Sequence, residues 1–369
     1  MFLDQLHLRW QLGLGRYFLL LDCFLRLVRQ LQLEQQVVLL QPLSFHALLF
    51  LFVPVLLSPF SRALLFLFVL APPLLFSLFL LSPVRRVLFL LAGMPLYDSF
   101  VIAMGTAGTG GFTVFNDGIA HYNSSLITYL VSIGVLVFGV NFNLYYFLMI
   151  RKFKAFFKDE ELRTYITIVL VSSVLIAYNV LHLYANVAKS FEISFFQVSN
   201  IITTTGFGYG TTEKWPLFSQ FILLMLMVVG GSAGSTAGGL KVIRCLTLWR
   251  IAKNQVLSTL SPNRVLTLHV NDTVLDKDTQ HQILKYFTIY SFITIGLLFV
   301  VSLDNNNFMT VVSAVFSCFN NIGPMIGTGQ TFSIFSPISK LLLSLAMIAG
   351  RLEIYPMILL FLPKTWSKR

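Results

Sequence analysis

The sequence predicts an all-α membrane protein built from repeated units of helix, re-entrant loop and helix, about three of which are recognisable. Three observations carry this reading. The chain of 369 residues is 56% hydrophobic and only 11% charged, with apolar runs longer than a soluble core requires. Its Lys and Arg residues cluster in alternate connections between those runs, as in polytopic proteins. A short half-polar segment ending in a glycine turn recurs three times between the long runs.

Residues 1–91 stand apart from the rest. They contain no Ile, Lys, Asn or Thr, whereas these four types supply 75 of the 278 residues from Ala92 onward. Codons for all four begin with adenine, so this segment is expected to be read in a shifted frame or to have a different coding history. The alternative is a Leu/Phe-rich hydrophobic domain of unusual composition. Runs such as "HALLFLFVPVLL" would insert as helices in either case. Scattered Arg16, Arg26 and Arg29, with no small-residue cleavage site after an apolar core, argue against a cleavable signal peptide.

Spanning candidates in the remainder, residues 92–369, are 126–150, 165–183, 216–229, 284–303 and 337–362. Several are interrupted by Gly, Pro or polar residues, as happens where a membrane protein lines a polar path. Net charge is +11, and segments 151–163, 241–285 and 364–369 hold 15 of the 26 Lys and Arg. The intervening connections hold only Lys189 and Lys214. The basic segments are therefore expected to face the cytoplasm, in a multi-pass protein of the cell membrane in contact with lipid. No basic and aromatic stripe points to nucleic acid. Cys23, Cys245 and Cys318 lack metal or redox spacing.

The recurring segments are "DSFVIAMGTAGTGGF", "FEISFFQVSNIITTTGFG" and "FMTVVSAVFSCFNNIGPMIG", within residues 96–112, 191–210 and 308–327. Aligned on their turns they place Gly111, Gly206 and Gly323 in register. A helix from Phe191 to Thr204 would reach about 21 Å, short of a hydrocarbon core of about 30 Å, so the segment enters and returns. Re-entrant turns free backbone carbonyls, and carbonyls with Thr hydroxyls can replace the hydration shell of an ion. Glycine supplies the positive φ that turns successive carbonyls toward one axis. The expected ion filter is Thr109, Gly110 and Gly111; Thr203, Thr204, Thr205, Gly206, Phe207 and Gly208; and Asn320, Asn321, Ile322 and Gly323.

Four motifs, "GTAGTGGFTVFNDGIAHYNSS", "NIITTTGFGYGTTEKWP", "GGSAGSTAGGLKVIR" and "AMIAGRLEIYPMILLFLPKTW", resemble the Trk/Ktr/HKT cation transporters, most of all the TrkH-type membrane subunit. The resemblance covers about residues 92–369. It implies four helix, pore-loop, helix repeats around a pseudo-fourfold pore, a homodimer, and a cytosolic nucleotide-binding regulatory subunit. It also implies uptake of a monovalent cation, most of all potassium, as transported ion, with no covalently bound cofactor and no metal site beyond the filter. The chain departs from that pattern at its start, where Gly13 and Gly15 in "QLGLGRY" lack a Thr-rich approach.

The run Gly230, Gly231, Ser232, Ala233, Gly234, Ser235, Thr236, Ala237, Gly238, Gly239, ending near Lys241, breaks a helix that starts near Trp215, about 22 Å along it. The resemblance makes it an intramembrane gating loop beneath the filter; the alternative is a kink for close helix packing. Ser232 fits the nucleophile pattern G-x-S-x-G, but that motif needs a preceding strand. Arg351 is expected at similar depth, where a guanidinium costs at least about 2.5 kcal/mol and must face protein or water. Glu353 points to nearly the opposite face. Asn116, Asp117 and Glu213 follow filter turns and either concentrate cations or are simply solvated. His121 and His182 lack metal-ligand spacing and are expected at interfaces. The polar linker from Asn254 to Gln282 is a plain cytosolic loop or a contact for the regulatory subunit. No paired acids, HExxH or Cys/His set suggests an enzyme. A midplane carrier and an inactive fragment are the alternatives to a pore.

Overall fold

The structure, a computed structural model, describes residue 89 and residues 92–184, 186–210, 212–260, 267–271, 273–326 and 332–351. Expectations for the N-terminal segment, including Cys23, Gly13 and Gly15, and for Glu353 lie outside these residues.

The described chain is helical apart from one small hairpin. Helix α1 (Leu96–Ala107) leads to a 3-10 turn, Gly118–Tyr122, and then to α2 (Ser125–Phe138), α3 (Phe142–Met149), α4 (Phe153–Lys158) and α5 (Glu160–Asn179). A short α6 (Leu181–Tyr184) precedes α7 (Val187–Ile202), α8 (Leu217–Val229) and α9 (Val242–Leu260). Strands β1 (His269–Val270) and β2 (Thr273–Val274) pair antiparallel, and α10 (Lys277–Val301), α11 (Phe308–Phe319) and α12 (Pro337–Arg351) follow.

Side-chain oxygens open several of these helices by satisfying amide groups that have no partner in the first turn. Asp159 accepts from Leu162 N at 2.7 Å, Asn186 from Ala188 N at 2.9 Å, and Asn141 from Asn143 N at 3.0 Å.

Two described helices are long and apolar enough to cross a membrane, α5 and the run Lys277–Asp304. The expected span over 126–150 is not one straight helix: α2 and α3 meet at 90°. The bend falls at Gly139, where a Cβ would sit 2.6 Å from Tyr165 Oη and 2.7 Å from Thr203 Cγ2. Both neighbours belong to elements packed against this corner. The expected span at 216–229 is the 13-residue α8, which begins at Leu217 rather than near Trp215. The linker 254–282 is also not a plain loop. Helix α9 runs through it to Leu260, the hairpin occupies 269–274, and α10 starts at Lys277.

Helix α7 packs between α5 and α2 and lies against α8, while α11 packs on α12 and α10. The main apolar cluster joins α5, α7 and α8 through Val169, Ile176, Ile201, Ile202, Leu223 and Met227. The three short segments α1, α7 and α11 are thereby held inside the bundle with their C-terminal ends together.

Candidate functional site

Helices α1, α7 and α11 end in the same way. In each, the backbone N–H two residues past the cap bonds to the carbonyl five residues back: Gly110 to Gly105 at 2.7 Å, Thr205 to Asn200 at 2.9 Å and Ile322 to Ser317 at 2.9 Å. The preceding N–H groups, of Thr109, Thr204 and Asn321, bond to Thr106, Ile201 and Cys318 at 3.3, 3.0 and 3.2 Å. This is the Schellman closure, which requires a left-handed residue. Here it is Thr109 (φ 47°), Thr204 (φ 52°) and Asn321 (φ 57°). The glycines aligned from sequence stand two residues later, also at positive φ: 67° for Gly111, 77° for Gly206 and 107° for Gly323.

The three turns touch. A Cβ at Gly111 would overlap Thr205 O, and one at Gly206 would overlap Ile322 O. Each amide anchored to its helix also fixes the carbonyl of the residue before it, because a trans peptide places C=O opposite N–H. The carbonyls of Thr109, Thr204 and Asn321 therefore point away from the helix carbonyls that anchor the next amide. These oxygens, and those of Gly110, Thr205 and Ile322, accept no hydrogen bond from the described residues. The three helix C-termini add their negative dipole ends where these turns touch.

The threonine hydroxyls behave differently from expectation. Thr203 Oγ1 donates to Ser199 O at 2.7 Å and lies 2.7 Å from Thr205 Oγ1, so these two bond each other. Thr204 Oγ1 accepts from Gly238 N at 2.6 Å. All three are buried and engaged inside the protein. Phe207 is also turned inward, with its ring in the apolar cluster around Ile102, Phe196 and Ile119. The Gly208 carbonyl accepts from Ile119 N at 2.9 Å.

The glycine-rich loop Gly230–Lys241 lies directly under these turns. Gly238 is pressed against Asn320 O, and Thr109 Oγ1 donates to Thr236 O at 3.1 Å, so the loop contacts all three segments. Its two ends cross at Gly230 (φ 70°) and Gly239 (φ 81°), where a Cβ on Gly239 would stand 2.8 Å from Gly230 Cα. The loop also fills the α2–α3 corner: Ser232 N bonds to Gly139 O at 3.0 Å and Phe142 N to Gly234 O at 3.1 Å. Ser232 follows a helix rather than a strand, and its buried hydroxyl has no partner among the described residues. Lys241 Nζ donates to Ala237 O. Arg351 Nη1 donates to Thr236 O at 2.9 Å, which brings the last expected gate residue onto the loop.

Glu161 was not singled out in the sequence. Buried at the start of α5, its Oε1 accepts from Ala233 N at 2.7 Å, inside the loop, and from Ile243 N at 3.3 Å, just past its end. Beside it, Glu160 Oε2 bonds to Arg250 Nη1 at 2.8 Å and accepts from Asn271 N at 3.2 Å, and Asp159 Oδ2 accepts from Asn271 Nδ2 at 2.8 Å. The hairpin is thus fastened to the same turn of α5, and the basic segments 151–163 and 241–285 meet at one end of the bundle.

At the other end, Lys189 Nζ pairs with Glu192 Oε1 at 2.8 Å and Ser125 Oγ donates to Glu192 Oε2 at 2.7 Å. Burial raises the Glu192 carboxyl, but these partners outweigh it and hold the group below its ordinary value. Tyr122 Oη donates to Asp98 at 2.8 Å; burial first, and then that carboxylate, push the phenol upward. Asn116, Asp117 and Glu213 are exposed. His121 stacks on Phe115 with ring centroids 3.6 Å apart, and His182 lies in α6.

A family profile described as TrkH, cation transport protein, matches residues 56–368. The chain belongs to the TrkH family. Among curated TrkH-family relatives, the Trk system potassium uptake protein TrkG of Escherichia coli K12 is 32% identical over 279 residues, covering 75% of this chain and 58% of the relative. TrkH of Vibrio parahaemolyticus is 29% identical over 287 residues, covering 76% and 59%. The crystal structure of the potassium transporter TrkH from Vibrio parahaemolyticus superposes with a TM-score of 0.73 at 27% identity, covering 84% of this chain and 66% of that one. The chain spans about 58% of the length of the curated relatives it matches. It is a membrane protein of TrkH fold.

Proposed function

We propose that this TrkH-family chain admits a monovalent cation, potassium above others, into the cytoplasm through the constriction where α1, α7 and α11 end. The observation that supports this most is the set of outward-turned carbonyls at Thr109, Thr204 and Asn321, each fixed in direction by its helix cap and without a hydrogen-bond donor among the described residues. A carbonyl with no protein donor is left to water or a cation. The helix dipoles favour a partly dehydrated cation. The names of the curated relatives, potassium uptake proteins, support the choice of ion. Gly110, Gly111, Thr205, Gly206, Ile322 and Gly323 continue the filter, while Thr203, Phe207, Gly208 and Asn320 serve it as packing and backbone supports.

The loop Gly230–Gly239, with Lys241 and Arg351, is the gate. Thr236 O receives both Thr109 Oγ1 and Arg351 Nη1, so a guanidinium sits on the loop that blocks the inner side of the filter and repels an arriving cation. The basic end, with Arg151, Arg250 and the hairpin, faces the cytoplasm of the cell membrane. The family likeness adds a homodimer and a cytosolic nucleotide-binding subunit. The test is cation flux into liposomes holding the purified chain: potassium or rubidium should enter faster than sodium, and no cation-dependent flux in vesicles with properly inserted protein would overturn the reading.

A further inference from the structure

The three filter turns are anchored alike at their first carbonyl and unequally above it. Six residues before each aligned glycine stand Gly105, Asn200 and Ser317. Asn200 is 1% exposed, and its amide grips both sides of Phe207: Oδ1 accepts from Phe207 N and Nδ2 donates to Phe207 O, each at 2.8 Å. Ser317 supplies a single bond, its Oγ accepting from Gly323 N at 3.0 Å. Gly105 has no side chain to give, and a Cβ there would stand 3.2 Å from Phe112 O and 3.4 Å from the Phe207 ring. The first turn therefore leans on Phe207, whose backbone Asn200 holds.

Peptide planarity converts these bonds into carbonyl directions. With Phe207 N–H drawn back to Asn200, the Gly206 carbonyl in the same peptide must face the opposite way, toward the meeting point of the turns. With Phe207 O also drawn back, the file of inward carbonyls in this segment ends at Gly206. Ser317 does the first of these two things for Ile322 O and nothing equivalent to the second. The grip resembles a neighbouring strand's, offering one acceptor and one donor to one residue.

We propose that Asn200 is a specificity-determining positioning residue: by clamping Phe207 it sets the direction and the upper limit of the carbonyl file that distinguishes potassium from sodium. This rests on the filter reading above. It concerns a side chain that never meets the ion.

The test is cation-dependent thermal stabilisation of the purified chain, titrated with KCl or NaCl at constant ionic strength, which reads preference without requiring transport. Asn200→Leu removes both bonds at similar volume and should lower the ratio of sodium to potassium dissociation constants by up to about thirtyfold, the most that two lost neutral hydrogen bonds can contribute. Ser317→Ala should lower it by up to about fivefold, for one. A merely structural residue would lower the melting temperature equally in both salts and leave the ratio alone. Asn200→Asp keeps the acceptor and loses the donor; it should fall between wild type and Asn200→Leu, and it decides the matter if the leucine variant does not fold. Gly206→Ser, which alters the filter itself, separates the two claims. If it shifts the ratio while the Asn200 variants keep the wild-type value, the inference is overturned and the filter stands. If no variant shifts the ratio, the filter reading falls and takes the inference with it.

Discussion

Gly238→Ala tests the proposed gate by the smallest possible change. Gly238 is buried between the ends of α7 and α11, its N–H bonded to Thr204 Oγ1 at 2.6 Å, and a Cβ on it would run into Asn320 O. An alanine methyl would overlap that carbonyl oxygen, whose comfortable distance from carbon is about 3.3 Å, so the loop must retreat by about 1 Å. The same retreat stretches the bond to Thr204 past the ordinary limit of about 3.2 Å. Losing it costs about 1 kcal/mol, and the residual overlap adds at least about 1 kcal/mol. Both penalties fall on the closed arrangement alone. About 2 kcal/mol against closure multiplies the open fraction by about thirtyfold while that fraction is small. Rubidium uptake into liposomes without any regulatory subunit should rise accordingly, with membrane abundance unchanged. Flux that stays at the wild-type level or drops, in protein that still reaches the membrane, would refute the idea that this contact holds the pore shut.

Other outcomes follow from the same contacts. Arg351→Ala should also raise basal flux, and combined with Gly238→Ala it should add little; additive effects measured in the same liposomes would separate the arginine from the loop. Glu161→Ala leaves the amides of Ala233 and Ile243 without their acceptor, at a cost of about 2 to 4 kcal/mol, so thermal unfolding should shift down by several degrees, and less for Glu161→Gln, which keeps an acceptor. Gly206→Ala should destabilise more than Gly323→Ala in the same assay, because a Cβ overlaps Ile322 O at the first position and meets nothing within 4 Å at the second. Glu192 has a depressed carboxyl, so its stabilising contribution is present above the ordinary value of 4.5 and is lost as pH falls through the lower folded value. Unfolding followed from pH 6 to pH 3 should show wild type losing more stability below about 4.5 than Glu192→Gln does.

The three turn glycines were legible as turns because positive φ at a recurring turn has a composition signature, and all three have that conformation. The left-handed residues two positions earlier were not legible. Thr109 and Thr204 are of a type that local preference keeps out of that region, and only the helix caps around them hold them there. The apolar run 126–150 reads as one span because apolar residues continue on both sides of Gly139, although Asn141, the cap of α3, stands at the break. What bends it is the loop from about 90 residues later in the chain, whose Ser232 and Gly234 take the backbone groups freed at Gly139 and Phe142. Glu161 stands with Glu160 in the first turn of α5, and nothing local in the sequence says that the loop will close over it. The hairpin did leave a signal: "HVNDTV" sets an Asn-Asp turn between β-branched residues inside a segment otherwise read as linker.

The central claim is that a cation is held by the carbonyls where three helix ends meet. Crystals of this chain soaked in rubidium or thallium salts and measured at the absorption edge test it most directly. Anomalous density is expected on the axis enclosed by the carbonyl oxygens of Thr109, Thr204 and Asn321, with a second peak at the level of Gly110, Thr205 and Ile322. Density confined to the exposed acids Asp117 and Glu213, with none between the carbonyls, would contradict it.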